Sequence, residues 1–452
     1  VYNINQMTMV EFLSTLLSKD FDIKKNKYIF KDNFSKQSDI KKTQNEITLN
    51  KFKGSISFIK ALETYINDYE IKTIVPESVI YHGKEVYSKS EILGFLDIFK
   101  EKPLQEKIDL LNKRLSSKIR LVNEKEQQEK EFISIELKKF KDYFGKKNMK
   151  INLVEIYKNF LQDLILNKKT YINLNYDIPE EQVIKMLIDN FDKKIIDLYD
   201  LAMLTYIKKR LKLTIDFEQV SHIIVDEAQD FGVSVFYVMK QLFYDCTYTI
   251  MGDITQNIYY DTGMNDWETL KEEVFFPDKD KFYVLAKSYR NTVEISNFAS
   301  KVLKQCTFKT YDIEPIIRHG KEVSINKTRN MQEMLLKTVD TINTNLKEDY
   351  TTIAIICRTL EETKLVHDNL KKYVEVEALT ENMEDMNFTN GIMVLPIHMT
   401  KGLEFDSVIL WNPDSNNYEA NDADAKLLYV AITRALHELH IVYEGELAKL
   451  LS

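Results

Sequence analysis

Little in this sequence cross-links, stiffens or loosens the chain: of 452 residues, 3 are cysteine, 7 proline and 11 glycine. Cys246, Cys306 and Cys357 are far apart and form no Cys-x-x-Cys pair, which argues against a disulfide framework or a thiolate zinc site. They read as core residues. There is no Pro-rich or Gly/Ser-rich linker, and no period of roughly 20 to 50 residues repeats. No apolar run approaches the roughly 20 residues that a membrane span needs, and no basic, apolar, small-residue leader opens the chain. These absences predict a cytoplasmic protein with no membrane partner. Positive charge is also short: the net charge is −8 and the pI about 5.6. An overall field that coats nucleic acid is therefore excluded, and any DNA contact is confined to a local groove.

What is present is ordinary globular composition, 44% hydrophobic and 11% aromatic, in a chain long enough for two or three domains. Residues 1–60 carry short apolar segments and a Lys/Asp/Asn-rich stretch, then Phe52-Lys53-Gly54-Ser55 opens a helix through Tyr65. Segment 70–98 reads as a hairpin region. From Lys102 to Phe144, Leu104, Ile108, Leu111, Leu115, Ile119 and Val122 draw a narrow apolar stripe on a charged helical stretch. Such a stripe packs a helix on its own domain or forms an interaction arm. Helical patterns continue over Leu153–Leu166 and Glu180–Leu211.

The polarity changes at His222-Ile223-Ile224-Val225-Asp226-Glu227-Ala228-Gln229-Asp230-Phe231, where aliphatic residues run into carboxylates. The run predicts a buried parallel strand whose tip opens into the crevice where α/β sheets bind ligands. Paired carboxylates there can hold a divalent cation and orient an attacking water; a solvated turn is the plain alternative. The same grammar recurs. Tyr248–Met251 ends in Gly252-Asp253-Ile254-Thr255-Gln256, and Phe282–Leu285 leads to Lys287-Ser288-Tyr289-Arg290-Asn291-Thr292 and a helix over Val293–Leu303. A second alternation fills 320–452, with strands at Thr352–Cys357, Val374–Ala378, Ile392–Leu395, Ser407–Leu410 and Leu439–Val442, and helices near 328–345, 360–372 and 422–436. It predicts a second parallel sheet.

Two further polar stretches complete the series: His398-Met399-Thr400-Lys401-Gly402-Leu403-Glu404-Phe405-Asp406 and Tyr429-Val430-Ala431-Ile432-Thr433-Arg434-Ala435. The five stretches, in this order, resemble motifs of the UvrD/PcrA/Rep class of superfamily 1 helicases. The resemblance implies an α/β fold with two RecA-like, P-loop-NTPase-type parallel sheets, here with the first incomplete and interrupted by a mainly helical insertion. It also implies ATP and Mg²⁺ as cofactors. By resemblance Asp226 binds the metal, Glu227 is the catalytic base, and Gln229 and Gln256 sense the terminal phosphate. Arg290 and Arg434 reach that phosphate as planar forks. Tyr289 stacks on the adenine and Glu404 meets the ribose, with Gly252, Asp253 and Gly402 also at the nucleotide, and His398 and Lys401 at the nucleic acid. Plainer roles exist: Arg434 could pair with Glu438 one helical turn away, Lys401 could be an ordinary loop lysine, and His398 a satisfied histidine. His437 and His440 lack an acid or cysteine to complete a metal set and read as structural.

No glycine here belongs to a Gly-x-x-x-x-Gly-Lys-Ser/Thr phosphate cradle. With Val1 in first place, this leads to the expectation of a fragment lacking an upstream P-loop segment, weakly active or inactive alone. Within the class the chain is most similar to HelD-type RNA polymerase-associated ATPases. That similarity rests on Gln6–Glu11, Phe52–Ser55, the long helical block, Ser288–Thr292, and the short interval between Thr292 and His398, which leaves no room for the large extra domain of UvrD-type enzymes. The implied division places parts of the first RecA-like domain at 1–60 and 211–287, the helical insertion at 61–210 with an arm at 102–144, and the second RecA-like domain at 288–452. The implied function is remodelling of RNA polymerase or nucleic-acid complexes. A 3′-5′ DNA helicase of the UvrD/PcrA type in repair and a non-catalytic RNA polymerase-binding module are the alternatives.

Overall fold

The structure, a computed structural model, describes residues 4–31, 42–145, 150–212, 220–276, 278–311, 314–315, 317–377 and 390–452. The chain forms two compact units, one of residues 1–33, 43–224 and 232–249, the other of 34–42, 225–231 and 250–452. Among the described residues no helix is long and apolar enough to cross a membrane.

The first unit is mainly helical. Its helices start where side chains satisfy the free amides of a first turn: Thr8 with Glu11, Thr43 with Glu46 and Ser88 with Glu91 each close a capping box. Helix Leu198–Leu211 is the core of the unit, with every residue but Lys209 buried. At its start Lys53 lies 2.7 Å from both Asp197 and Asp200, so a buried cation is matched by hydrogen-bonded carboxylates. The stripe on helix Leu104–Lys125 is packed inside this unit, with Leu104, Leu111, Leu115 and Ile119 fully buried. The following helix, Lys130–Lys139, is more open and exposes Phe132 and Ile135. The expected hairpin is the antiparallel pair Val79–Tyr81 and Lys84–Tyr87; the two ends of segment 70–98 belong to helices Ile56–Ile74 and Lys89–Ile98. Helix Gln44–Gly54 ends against the start of helix Val233–Leu242, where a Cβ on Gly232 would lie 2.5 Å from Gly54 Cα.

Strand His222–Val225 pairs only with Thr247–Ile250 among the described residues. The strands run in one direction, since Thr247 N bonds Ser221 O and Met251 N bonds Val225 O. The sequence predicts burial on both faces, yet Ile224 is 65% exposed and only Val225 is buried. A two-stranded parallel ribbon has too few neighbours to cover itself.

The second unit is built on five parallel strands in the order Gly391–Pro396, Thr352–Cys357, Phe405–Trp411, Ala435–Tyr443, Ser324–Lys327. Alternation along each strand feeds two cores. Ala354, Ile356, Val408, Leu410 and Ile441 pack with helices Val293–Leu303 and Asp422–Thr433. Ile353, Ile355, Ile409 and Val442 pack with helices Met331–Lys347 and Leu360–Leu370. Each fully buried aliphatic contributes roughly 1.5–3 kcal/mol, which makes this sheet the rigid platform of the unit.

Two expected strands differ. Phe282–Leu285 is not a strand; it forms no ladder among the described residues, and Tyr283 and Leu285 are 75% and 94% exposed. Its neighbour Lys287–Ser288 pairs instead with Glu314–Pro315. Residues 374–377 are irregular, held by Glu377 N on Ile392 O, and Ala378 lies outside the described residues. The edge strand Ser324–Lys327 is additional to those expected.

Candidate functional site

The acid tip, residues 225–231, belongs to the second unit. After Val225 the chain turns at Glu227, which sits in the left-handed region at φ 50°. Glu227 N bonds Asp226 Oδ1 at 2.8 Å. Ala228–Asp230 then form a short 3-10 turn that buries Gln229. This turn aims Gln229 in two directions: its Nε2 donates to Glu227 Oε2 at 2.5 Å, and its Oε1 accepts from Asp253 N at 2.9 Å. Gly252 is needed for that approach, because a Cβ there would stand 2.3 Å from Gln229 Oε1. Met264 N closes on Gln229 O at 2.9 Å.

Asp253 carries the link onward. Its carboxylate accepts from Thr255 N and from Gln256 Nε2, each at 2.9 Å. Gln256 Oε1 in turn accepts from Arg434 Nη2 at 2.8 Å. Arg434 ends helix Asp422–Thr433 and is 1% exposed. Its Nε donates to Val430 O at 3.1 Å and its Nη1 to Leu403 O at 3.3 Å. The surface pair with Glu438 does not form; Glu438 instead lies 2.6 Å from Lys321 and 2.9 Å from His440. Burial, with the neighbouring Arg290 charge added, pulls the Arg434 pKa down to about 10.

Arg290 reaches the same point. Its Nη2 donates to Leu403 O at 2.6 Å, and its Nε lies 2.9 Å from Glu404 Oε1. Burial lowers its pKa, with Glu404 opposing. The loop that presents Arg290 is fastened by Asn291, whose amide donates to Thr433 O and Ala435 O, and by Arg318, which donates to Arg290 O and Leu436 O. Gly402 adopts φ +78° with open space on its Cβ side. Lys401 does not face open solvent: its ammonium pairs with Asp230 and lies 3.3 Å from Glu227 Oε2. Burial pushes the Asp230 pKa up to about 6 despite Lys401.

The structure thus brings Glu227, Gln229, Gly252, Asp253, Gln256, Arg290, Lys401, Gly402, Glu404 and Arg434 into one connected set. Asp226 is exposed at its edge, with one oxygen on a backbone amide. Tyr289 is 73% exposed, and His398 lies partly buried in the short turn Ile397–Thr400. Sequence reasoning missed Asp230, Asn291, Arg318 and the Leu403 carbonyl. Asp230 was visible as a third acid after the strand; a backbone carbonyl has no residue signature. No cluster of three or more metal-ligating side chains occurs among the described residues.

Residues 391–442 match the family model of the UvrD-like helicase C-terminal domain. Among solved structures the chain is similar to the C-terminal domain of a possible DNA helicase from Lactobacillus plantarum WCFS1, at 33% identity over 36% of this chain and 92% of that one, TM-score 0.31. It is also similar to the PRRSV helicase, at 16% identity over 49% and 34% of the two chains, TM-score 0.26. No curated protein sequence matches it.

Proposed function

We propose that this chain, a superfamily 1 helicase by its UvrD-like C-terminal domain, is part of an ATP-dependent, HelD-type ATPase that remodels RNA polymerase or nucleic-acid complexes. The observation that carries the ATPase reading is the unbroken chain of hydrogen bonds Glu227–Gln229–Asp253–Gln256–Arg434, with Arg290 joined to Arg434 through Leu403 O. Phosphoryl transfer asks a protein for a metal anchor, a water-orienting base, a sensor of the terminal phosphate and cations for developing charge. In this arrangement Glu227 is the base, Gln229 and Gln256 relay the state of the phosphate, and the two guanidiniums neutralise it.

Asp226 suits Mg²⁺: a single exposed carboxylate is what a cation needs that keeps several waters and takes further ligands from phosphates. Bound there, Mg²⁺ would supply charge neutralisation. The HelD-type reading is supported by the interval between Thr292 and His398. Its described residues are used by helices and strands of the five-stranded unit, with no separate inserted domain among them. The match to the UvrD-like family favours a second reading, a DNA helicase of the UvrD type.

A pull-down of RNA polymerase by the purified chain separates these readings. The stripe of helix Leu104–Lys125 is core, so the variants to use are Phe132→Ser and Ile135→Ser on the open helix that follows. Retention by the wild type and its loss in the double variant is expected; no retention, with duplex unwinding instead, would turn the assignment to the second reading. Because the chain contains no phosphate cradle, its own ATP turnover is expected to be weak or nil, and turnover comparable to that of an intact helicase would refute this.

A further inference from the structure

The five residues Thr400–Glu404 touch both charged halves of the site. At the arginines the loop presents acceptors, Leu403 O and the Glu404 carboxylate. At the acids it presents a cation, the Lys401 ammonium, paired with Asp230 and 3.3 Å from Glu227 Oε2. The Lys401 side chain is only 12% exposed and its ammonium also lies 5.9 Å from the Tyr259 ring, so it is seated rather than loosely attracted. Asp230, with 16% side-chain exposure, has Lys401 as its ion-pair partner. The residue after the lysine is Gly402, in the left-handed region with nothing near its Cβ position, which gives the loop a pivot beside the ammonium.

We propose that Lys401 is an internal counter-ion latch: anchored by Asp230, its ammonium holds a cation's place at Glu227 and must leave before a divalent metal engages the acid tip. The inference rests on reading Asp226 and Glu227 as a metal and base tip. A positive charge seated there opposes the entry of a second one by Coulomb repulsion and by occupying a carboxylate oxygen that also takes Gln229. Lys401 is therefore a positioning residue that controls access to Glu227, and Asp230 is the seat that keeps it there. An ordinary structural ion pair would make the opposite prediction, since its loss would loosen the tip and weaken any ligand.

The test is Mn²⁺ binding to the full chain, without nucleotide, followed by electron paramagnetic resonance. Lys401→Met is expected to tighten Mn²⁺ on the order of tenfold, while Lys401→Arg, which keeps the charge, stays near the wild type. Adding Asp226→Asn to Lys401→Met should abolish the gain. If Lys401→Met binds Mn²⁺ no more tightly than wild type, or neither binds it, the latch is overturned. If Lys401→Met tightens binding but Asp226→Asn does not reverse it, the metal sits elsewhere and the acid-tip reading fails instead. Tryptophan fluorescence of each variant confirms that the unit is folded.

Discussion

Replacing Arg434 by methionine should make the second unit more stable while removing its hydrogen bond to Gln256. The guanidinium is 1% exposed, and its pKa is pulled below the ordinary guanidinium value to about 10, through burial first and Arg290 second. That difference corresponds to about 3 kcal/mol held against the charged form. The sign is that of a buried cation: its folded pKa is the lower one, so the cost is present at every pH below about 10. Against this stands the loss of its hydrogen bonds. Leu403 O keeps Arg290 Nη2 at 2.6 Å, and Val430 O keeps Thr433 Oγ1 at 3.1 Å. Gln256 Oε1 loses the Arg434 donor at 2.8 Å, at about 1 kcal/mol for a partly buried acceptor, and Thr433 Oγ1 loses only a long contact at 3.5 Å. Methionine refills most of the channel left by the aliphatic stem. The balance is about 2 kcal/mol in favour of Arg434→Met. Both tryptophans, Trp267 and Trp411, are buried in this unit, so urea titration of tryptophan fluorescence reads it selectively. With an m-value of about 2 kcal/mol/M the midpoint should rise by about 1 M. A midpoint below that of the wild type would refute the reasoning, because it would show that the hydrogen bonds outweigh the buried charge.

Gly252→Ala should displace Gln229, since its Cβ would lie 2.3 Å from Gln229 Oε1; a loss of about 1–3 kcal/mol is expected on the same urea titration, and an unchanged midpoint would show that the glutamine can move aside. Glu362 has its pKa raised to about 7 by burial, against hydrogen bonds from Arg358 N and Thr359 that lower it. Its folded value exceeds its unfolded one, so stability falls as pH climbs from about 4.5 to 7. Glu362→Gln should flatten that part of the profile, leaving the similar but lower contribution of Asp230; a profile as steep as wild type between pH 5 and 8 would contradict this. Phe132→Ser with Ile135→Ser should leave circular dichroism and the thermal midpoint of the chain nearly unchanged, as both side chains are exposed; a large drop would mean that the helix Lys130–Lys139 is part of the core.

The elements legible in the sequence are those whose signal is complete within one stretch. Helix Leu153–Leu166, helix Val293–Leu303 and strand Thr352–Cys357 have the expected bounds, because periodicity and caps are local. Phe282–Leu285 has equal β propensity and no ladder among the described residues; propensity supplies no partner strand. Ser324–Lys327 escaped notice because an edge strand with half-exposed polar residues lacks an apolar run. At the site, residue types and order bring the acids and arginines into view, but not what they touch. The Leu403 carbonyl that gathers two guanidiniums belongs to no side chain, and Lys401, expected at nucleic acid, faces Asp230 across 171 residues of sequence.

Gly54 and Gly232 meet backbone to backbone, 178 positions apart (232 − 54). Most packed pairs can exchange volume: one partner grows as the other shrinks. Here neither partner has anything smaller to become, so a gain at one position has no compensating change at the other. The contact fixes Gly232: a methyl group there would have to be absorbed by moving the end of helix Gln44–Gly54, the element that also carries Lys53 to its two aspartates.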